Sequence, residues 1–593
     1  MTSINRKTPF EVRRATPTRR RSAHALVGLV TILALAVPLR QGGATVAAAQ
    51  ATGTSGSVTT STAVRTATVD LRTLPKGAAA VRTGAAHNIA LPYLRPYRQT
   101  SAAIASAAPR ASSTSGNASA VDTTILHNFL GLDSIDSFKV NAGDVEPPDQ
   151  GLCVGPLGTS GTTGQLEMVN LAVALYNTSG SVLLGPVGLN SFFGEPTAGF
   201  SGSGGENTSD PRCYYDPTSR SLFATIIAYS FNSMGIAESH VDLAVDATPP
   251  GAPVNLAGPW NIYRINTSDT SDPGCPCLAD QPLLGVDSNG VYISTNEFTQ
   301  PLTGFNGAQL YAISKAQLLS GAASPRVVHY GHLTIPGDFP AASLEPAQSP
   351  NGASAEYFLN SLDPNATIDN RIGVWVLGDT ARLNTGGTPP LSHVIIQSET
   401  YGQPPNALQK GSSATLATDD DRMLQVQFVN GNLWSSLNSV VLINGDTESR
   451  SGAAWFRVAP SLSGSAIRSA RIVEQGYVTY KGNYILYPAI AVDNNNNAAM
   501  AFTLSGPSFY PSAAYATGSH FSTLKTAALG TQPDHGFTCN APYGPPCRWG
   551  DYSAAARDPL NGNVWLATEY IANSGDVYAN WATRVFDVTP YGG

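Results

Sequence analysis

A unit of about 67 residues recurs through most of this 593-residue chain, and it restricts the fold more than any other feature. Each copy has a polar start, an apolar strand, a tight Asp/Asn/Gly turn and a second apolar strand. The clearest runs from Asp551-Tyr552-Ser553-Ala554-Ala555-Ala556 through Asn561-Gly562 to Val564-Trp565-Leu566-Ala567-Thr568-Glu569. Further starts fall at Asp149, Asp210, Asp280, Pro346, Asp420 and Pro488, spaced 61 to 74 residues apart. A third apolar strand usually follows, as at 310–313, 372–376, 454–458 and 583–588. Repeats of three or four strands with such turns are the blades of a β-propeller, and regular strand spacing also allows two stacked sandwiches. Seven starts predict an all-β chain forming a seven-bladed β-propeller over 122–593. Open sheet edges invite pairing with other chains. The strand at 125–130, ahead of the first start, is therefore expected to complete the last blade.

The composition fits. Gly (57) and Pro (42) are abundant and only 13% of residues are charged, the opposite of a helical bundle, while 42% hydrophobic residues supply a large core. The first 49 residues differ from the rest. Eight basic residues and one acidic residue surround an apolar run at 25–39, followed by Ala47-Ala48-Ala49. A basic region, an apolar run and small residues before a cut site predict a secretory signal, with cleavage after Ala49. Beyond it the formal charge falls from −7 to −14. An acidic chain without a Lys/Arg cluster repels phosphate backbones, so nucleic acid is not an expected partner. Residues 50–121, dominated by Ala, Ser, Thr and Gly, predict a linker or pro-segment without structure of its own, apart from a patch at 92–97.

Six cysteines in an exported chain predict disulfides. Sequence proximity pairs Cys539 with Cys547 and Cys275 with Cys277, leaving Cys153 for Cys213. The Cys275-Pro276-Cys277 spacing does not suit a zinc site.

By analogy with known propellers, Asp149, Asp210, Asp280, Asp420 and Asp551 are expected to ring one mouth of the channel. Glu569, Glu297, Asn296, Asn360 and Asn170 end second strands and are expected just outside that ring, with Glu146 and Asp144 on the same side. Crowded carboxylates have three uses. They serve as acid and base when repulsion and burial separate their proton affinities, they hold Ca²⁺, or they accept backbone amides of a neighbouring blade. Glu569, Asp551, Asp210 and Glu297 are the catalytic candidates. Asp149, Asp280, Asp420, Glu146, Arg212, Arg548, Trp549 and Tyr552 are candidates for substrate binding, since an Arg beside an aromatic face suits a sugar ring. Trp549 also fits packing between blades. No residue set specifies a cofactor, and Ca²⁺ is the one ion the acidic residues suit.

At these strand-and-turn motifs, over roughly 123–593, the chain resembles secreted bacterial propeller proteins of the broad sialidase and glycosidase-like group. Their S-x-D-x-G-x-x-W box is approached by Val286-Asp287-Ser288-Asn289-Gly290-Val291-Tyr292, while Asp558 through Trp565 departs in spacing. The arginine triad of sialidases cannot be assembled. The resemblance implies a secreted, monomeric protein that cleaves or binds an extracellular glycan, as a hydrolase or lyase. A non-catalytic propeller that recognises a cell surface or matrix is the alternative.

Overall fold

The computed structural model describes residues 52–53, 56–77, 87–90, 108–141, 143–197, 205–231, 237–249, 252–268, 275–299, 302, 304–337, 339–362, 368–573 and 578–590. The expected signal and the 92–97 patch lie outside them. The body that begins at Ala48 is all-β apart from short helices.

Among the described residues, seven sets of four consecutively hydrogen-bonded antiparallel strands follow one another. Their first strands are Gly151–Pro156, Asn207–Asp216, Cys277–Val286, Glu345–Gln348, Met423–Val429, Tyr484–Val492 and Ala554–Arg557. Each first strand packs against that of the next sheet, and Ala554–Arg557 packs back against Gly151–Pro156. The third, fourth and fifth sheets also touch through short parallel bridges, Val286 to Gln348 and Ala347 to Val426. The seventh sheet takes its fourth strand from far upstream. Asn128–Asp133 pairs antiparallel with Ala582–Val588, three residues downstream of the expected 125–130.

The core follows the same circuit. An apolar layer fills every gap between successive sheets. A last layer, including Leu152, Val154, Phe129, Trp565 and Val585, joins the seventh sheet to the first. Middle strands are therefore covered on both faces, which is why 222–228, Leu-Phe-Ala-Thr-Ile-Ile-Ala, is entirely buried rather than alternating. Two flat layers would not produce this cyclic succession of contacts.

The turn after the first strand is capped by an aspartate in four sheets. Asp216 accepts the Thr218 and Ser219 amides, Asp287 those of Asn289 and Gly290, Asp493 those of Asn495 and Asn497, and Asp558 that of Leu560. A short carboxylate two residues before the bend satisfies amides the turn would leave bare. Asp287 also accepts the Tyr292 hydroxyl at 3.0 Å, and Asp558 accepts the Trp565 indole N–H at 3.2 Å. The two box-like segments are thus turn-locking devices.

The 50–121 stretch departs from the expected unstructured linker. Ser57–Thr62 pairs with Arg326–Gly331, Val64–Val69 with Trp260–Asn266, and Ser115–Val121 with Thr523–Ala528. Its β-branched Val and Thr residues suit strands. They gain stability by satisfying the free backbone groups of outer edges rather than by building a core of their own.

Three disulfides are present, Cys153–Cys213, Cys275–Cys277 and Cys539–Cys547, as expected from proximity. The first joins the first strands of sheets one and two.

Candidate functional site

The first strands begin with a backbone kink. Asp149, Asp210, Gln281, Ser343 and Tyr487 have φ of 44°, 55°, 52°, 43° and 53°, in the left-handed region that non-glycine residues avoid. Strand register slips at three of these points, between Ser209 and Arg212, Asp280 and Leu283, and Leu486 and Ala489. Such conformations cost about 1–3 kcal/mol each and persist where surroundings over-determine them. Here the preceding sheet does so. The amide of Asp210 donates to Asn170 Oδ1 at 2.9 Å, that of Ser343 to Asn296 Oδ1 at 2.8 Å, and that of Tyr487 to Asn438 Oδ1 at 2.7 Å. The Gln281 amide donates to Asp210 Oδ2 at 3.2 Å. Asn170, Asn296 and Asn438 each follow a second strand's apolar run, a spacing that marks them in the sequence. The first two were expected beside a mouth, and Asn438 was missed. Asn360 does something else, accepting the Trp375 indole N–H.

The recurring start aspartates therefore do not share one structural position. Asp149 and Asp210 occupy the kink. Asp280 precedes it by one residue, Asp551 follows the Gly550 kink, and Asp420 lies in the approach to its strand. Even so, Asp149, Asp210 and Asp551, from three different sheets, bring carboxylate oxygens within 4.8 Å of one another. Asp149 is fully buried and accepts the Asp551 amide at 2.6 Å and the Asn170 side-chain amide at 2.7 Å. Burial, then the charges of Asp551 and Asp210, pushes its carboxyl well above the usual range. Asp210 is raised by burial, against the pull of Arg212 and a hydrogen bond with Asp149. Asp551 is raised by burial, against Arg548, whose guanidinium forks onto it at 3.1 and 3.2 Å. Half-buried Asp280 is raised by burial and by Asp210.

Asp420 is committed to Arg422, which binds both its oxygens at 2.7 and 2.8 Å and reaches Gln281 Oε1 at 2.6 Å. Arg212 Cζ lies over the Tyr552 ring, 3.3 Å from its centroid. Its Nε and Nη2 have no hydrogen-bond partner although the residue is buried. Glu345, from the fourth sheet, feels Arg212, yet burial lifts its carboxyl to about 7. Neither Gln281 nor Glu345 belongs to the sequence-derived set, because neither stands at a repeated acidic position.

A second acidic group adjoins the first. Glu569, on Val564–Tyr570, is 3% exposed, and its Oε2 has no hydrogen-bond partner. Burial, then Asp534, Asp149 and Glu146, raises it well above an ordinary glutamate, against a hydrogen bond from the Gly550 amide. Glu146 accepts the Thr538 amide at 2.9 Å and is raised by burial and Asp534. Asp534 is lifted to about 6.

Two candidates fall outside this assembly. Glu297 accepts from Asn306 at 2.7 Å and Gln309 at 3.0 Å, beside the Cys275–Cys277 disulfide. Trp549 is buried among Tyr484, Leu486, Cys547 and Ile571, and its indole N–H donates to Thr503. It packs between sheets rather than offering a stacking face.

No protein-family model and no curated protein matches the chain. Solved structures similar to it include the parainfluenza virus 5 hemagglutinin-neuraminidase ectodomain, at 9% identity, TM-score 0.32, over 65% of this chain and 80% of that one. An α-L-arabinanase of Penicillium chrysogenum has 13% identity and TM-score 0.29, over 64% and 93%. An exo-β-1,3-galactanase of Clostridium thermocellum has 9% identity and TM-score 0.25, over 79% and 97%.

Proposed function

We propose that this chain is an exported, seven-bladed β-propeller that binds and hydrolyses an extracellular glycan where the first strands begin. The cyclic contacts and the closing strand support the blade count. The observation that carries the chemistry is the contrast between Glu569 and Asp551. Glu569 keeps one oxygen without a partner and is pushed strongly toward its protonated form by burial and then by three neighbouring carboxyls. Asp551, beside the glycine whose amide meets Glu569, is raised by burial too, but the Arg548 fork opposes that rise. Two carboxyls with separated proton affinities are the acid and base of glycoside cleavage. Glu569 is assigned as acid, and Asp551 as base or nucleophile. Arg212, stacked on buried Tyr552, supplies guanidinium donors for a sugar. Asp149 and Asp210 are positioning residues, since each accepts a backbone amide of another sheet.

That same amide bonding favours a second reading, a glycan-binding propeller without catalysis. A panel of neutral and anionic polysaccharides incubated with wild type, Glu569→Gln and Asp551→Asn decides between them. Hydrolysis by wild type that falls at least about 100-fold in both folded variants supports the acid–base pair. Retained glycan binding with no cleavage by any form replaces it with the second reading.

A further inference from the structure

The second sheet holds a polar group that the proposed glycan site does not use. His240 and Asp242 stand two residues apart on Ala237–Asp246, so they share one face of the sheet. Glu195 reaches the same point from the loop after Leu189–Phe193, and Arg264 lies directly across from Asp242 on the neighbouring strand. His240 Nε2 is 3.5 Å from Asp242 Oδ2 and 3.8 Å from Glu195 Oε1, and the three ligand atoms all lie within 4.8 Å of one another. Those separations are ion-pair distances, not hydrogen bonds. Asp242 has no solvent exposure and His240 only 8%, yet His240 Nε2 and both Asp242 oxygens lack a hydrogen-bond partner. Arg264 Nε also stands 3.8 Å from Asp242 Oδ1, so one fixed cation faces two carboxylates, and buried carboxylates without hydrogen-bond donors are costly unless further positive charge meets them.

We propose that Glu195, His240 and Asp242 form a zinc site. One imidazole with two carboxylates suits zinc, whereas Ca²⁺ wants six to eight oxygens. Tetrahedral bonds of about 2.0–2.1 Å set ligand atoms about 3.3 Å apart, close to the 3.5 and 3.8 Å that separate His240 Nε2 from Asp242 and Glu195. With a neutral imidazole, a divalent ion and Arg264 together meet the two carboxylates with one positive charge in excess. Arg264, donating to both Glu195 oxygens at 2.5 Å, holds that ligand from outside. Three protein ligands leave the fourth position of a tetrahedral zinc to water. The rival occupant is a proton, which would make His240 itself the cation between the carboxylates.

Elemental analysis of protein purified without chelators, then zinc titration calorimetry on the EDTA-stripped full chain, tests the site. One equivalent of zinc, with a rise in Tm on binding, is expected. Affinity is expected to fall at least about 10-fold in His240→Gln and in Asp242→Asn. No stoichiometric binding by wild type, or unchanged binding by folded His240→Gln, overturns the site in favour of the protonated histidine. If neither variant folds, Co²⁺ added to wild type decides. Tetrahedral d–d bands with a paramagnetically shifted His240 ring support the site, and a hexa-aquo spectrum overturns it.

Discussion

Glu167 shows what one buried acid does to stability. It has no exposure, and its Oε2 accepts the Leu132 amide at 2.8 Å, linking the first sheet to the strand that completes the seventh. Burial lifts its carboxyl to about 7, so the folded chain holds this proton more tightly than the unfolded chain does. Its contribution is complete below about pH 4.5 and is lost as pH rises through about 7, by about 3 kcal/mol across that span. Glu167→Gln keeps the shape without the titration. Urea unfolding at pH 5 and pH 8 is therefore expected to show a smaller pH loss in the variant, and equal losses would refute the assignment. Glu345, also lifted to about 7, works in the same sense.

Among elements, the asparagine bridges are the devices most open to test. Asn438→Ala removes the acceptor of the Tyr487 amide and the donor to the Thr418 carbonyl, both buried. A loss of about 1–3 kcal/mol in denaturant unfolding is expected. The edge strands make a different prediction. Deleting 50–77 uncovers the outer backbone of Trp260–Asn266 and Arg326–Gly331, so light scattering on gentle heating is expected to show aggregation that the full chain resists. Strand, turn and strand were legible in the sequence because all three lie within one run of 20 residues or so, with an aspartate or asparagine at the bend. The kinks were not. Asp280 looks like the equivalent of Asp210 in the sequence, but Gln281 takes the left-handed conformation, and only the Asp210 carboxylate 71 positions away selects it. Glu297 was grouped with the mouth by position along its strand, whereas Asn306 and Gln309 on the next strand claim it. The edge strands escaped notice because low apolar content signals disorder only when no partner edge is waiting.

For the whole molecule, the Cys153–Cys213 bridge closes a loop of 60 residues between two sheets. Replacing both cysteines by Ala is expected to cost about 2–4 kcal/mol by calorimetry or chemical unfolding, with the fold retained. The circular order itself was legible, because a stray strand ahead of seven repeats has one obvious use. The closing strand has a further consequence. His127 donates its amide to Asp587, 460 positions later, beside the pairing that finishes the seventh sheet. Loop closure over such a span is slow compared with local pairing. During synthesis, every other sheet can assemble from consecutive stretches while Asn128–Asp133 waits as an unmatched edge. A chain stalled short of the last sheet would keep Asn128–Asp133 as an unpaired edge, open to pairing with other chains.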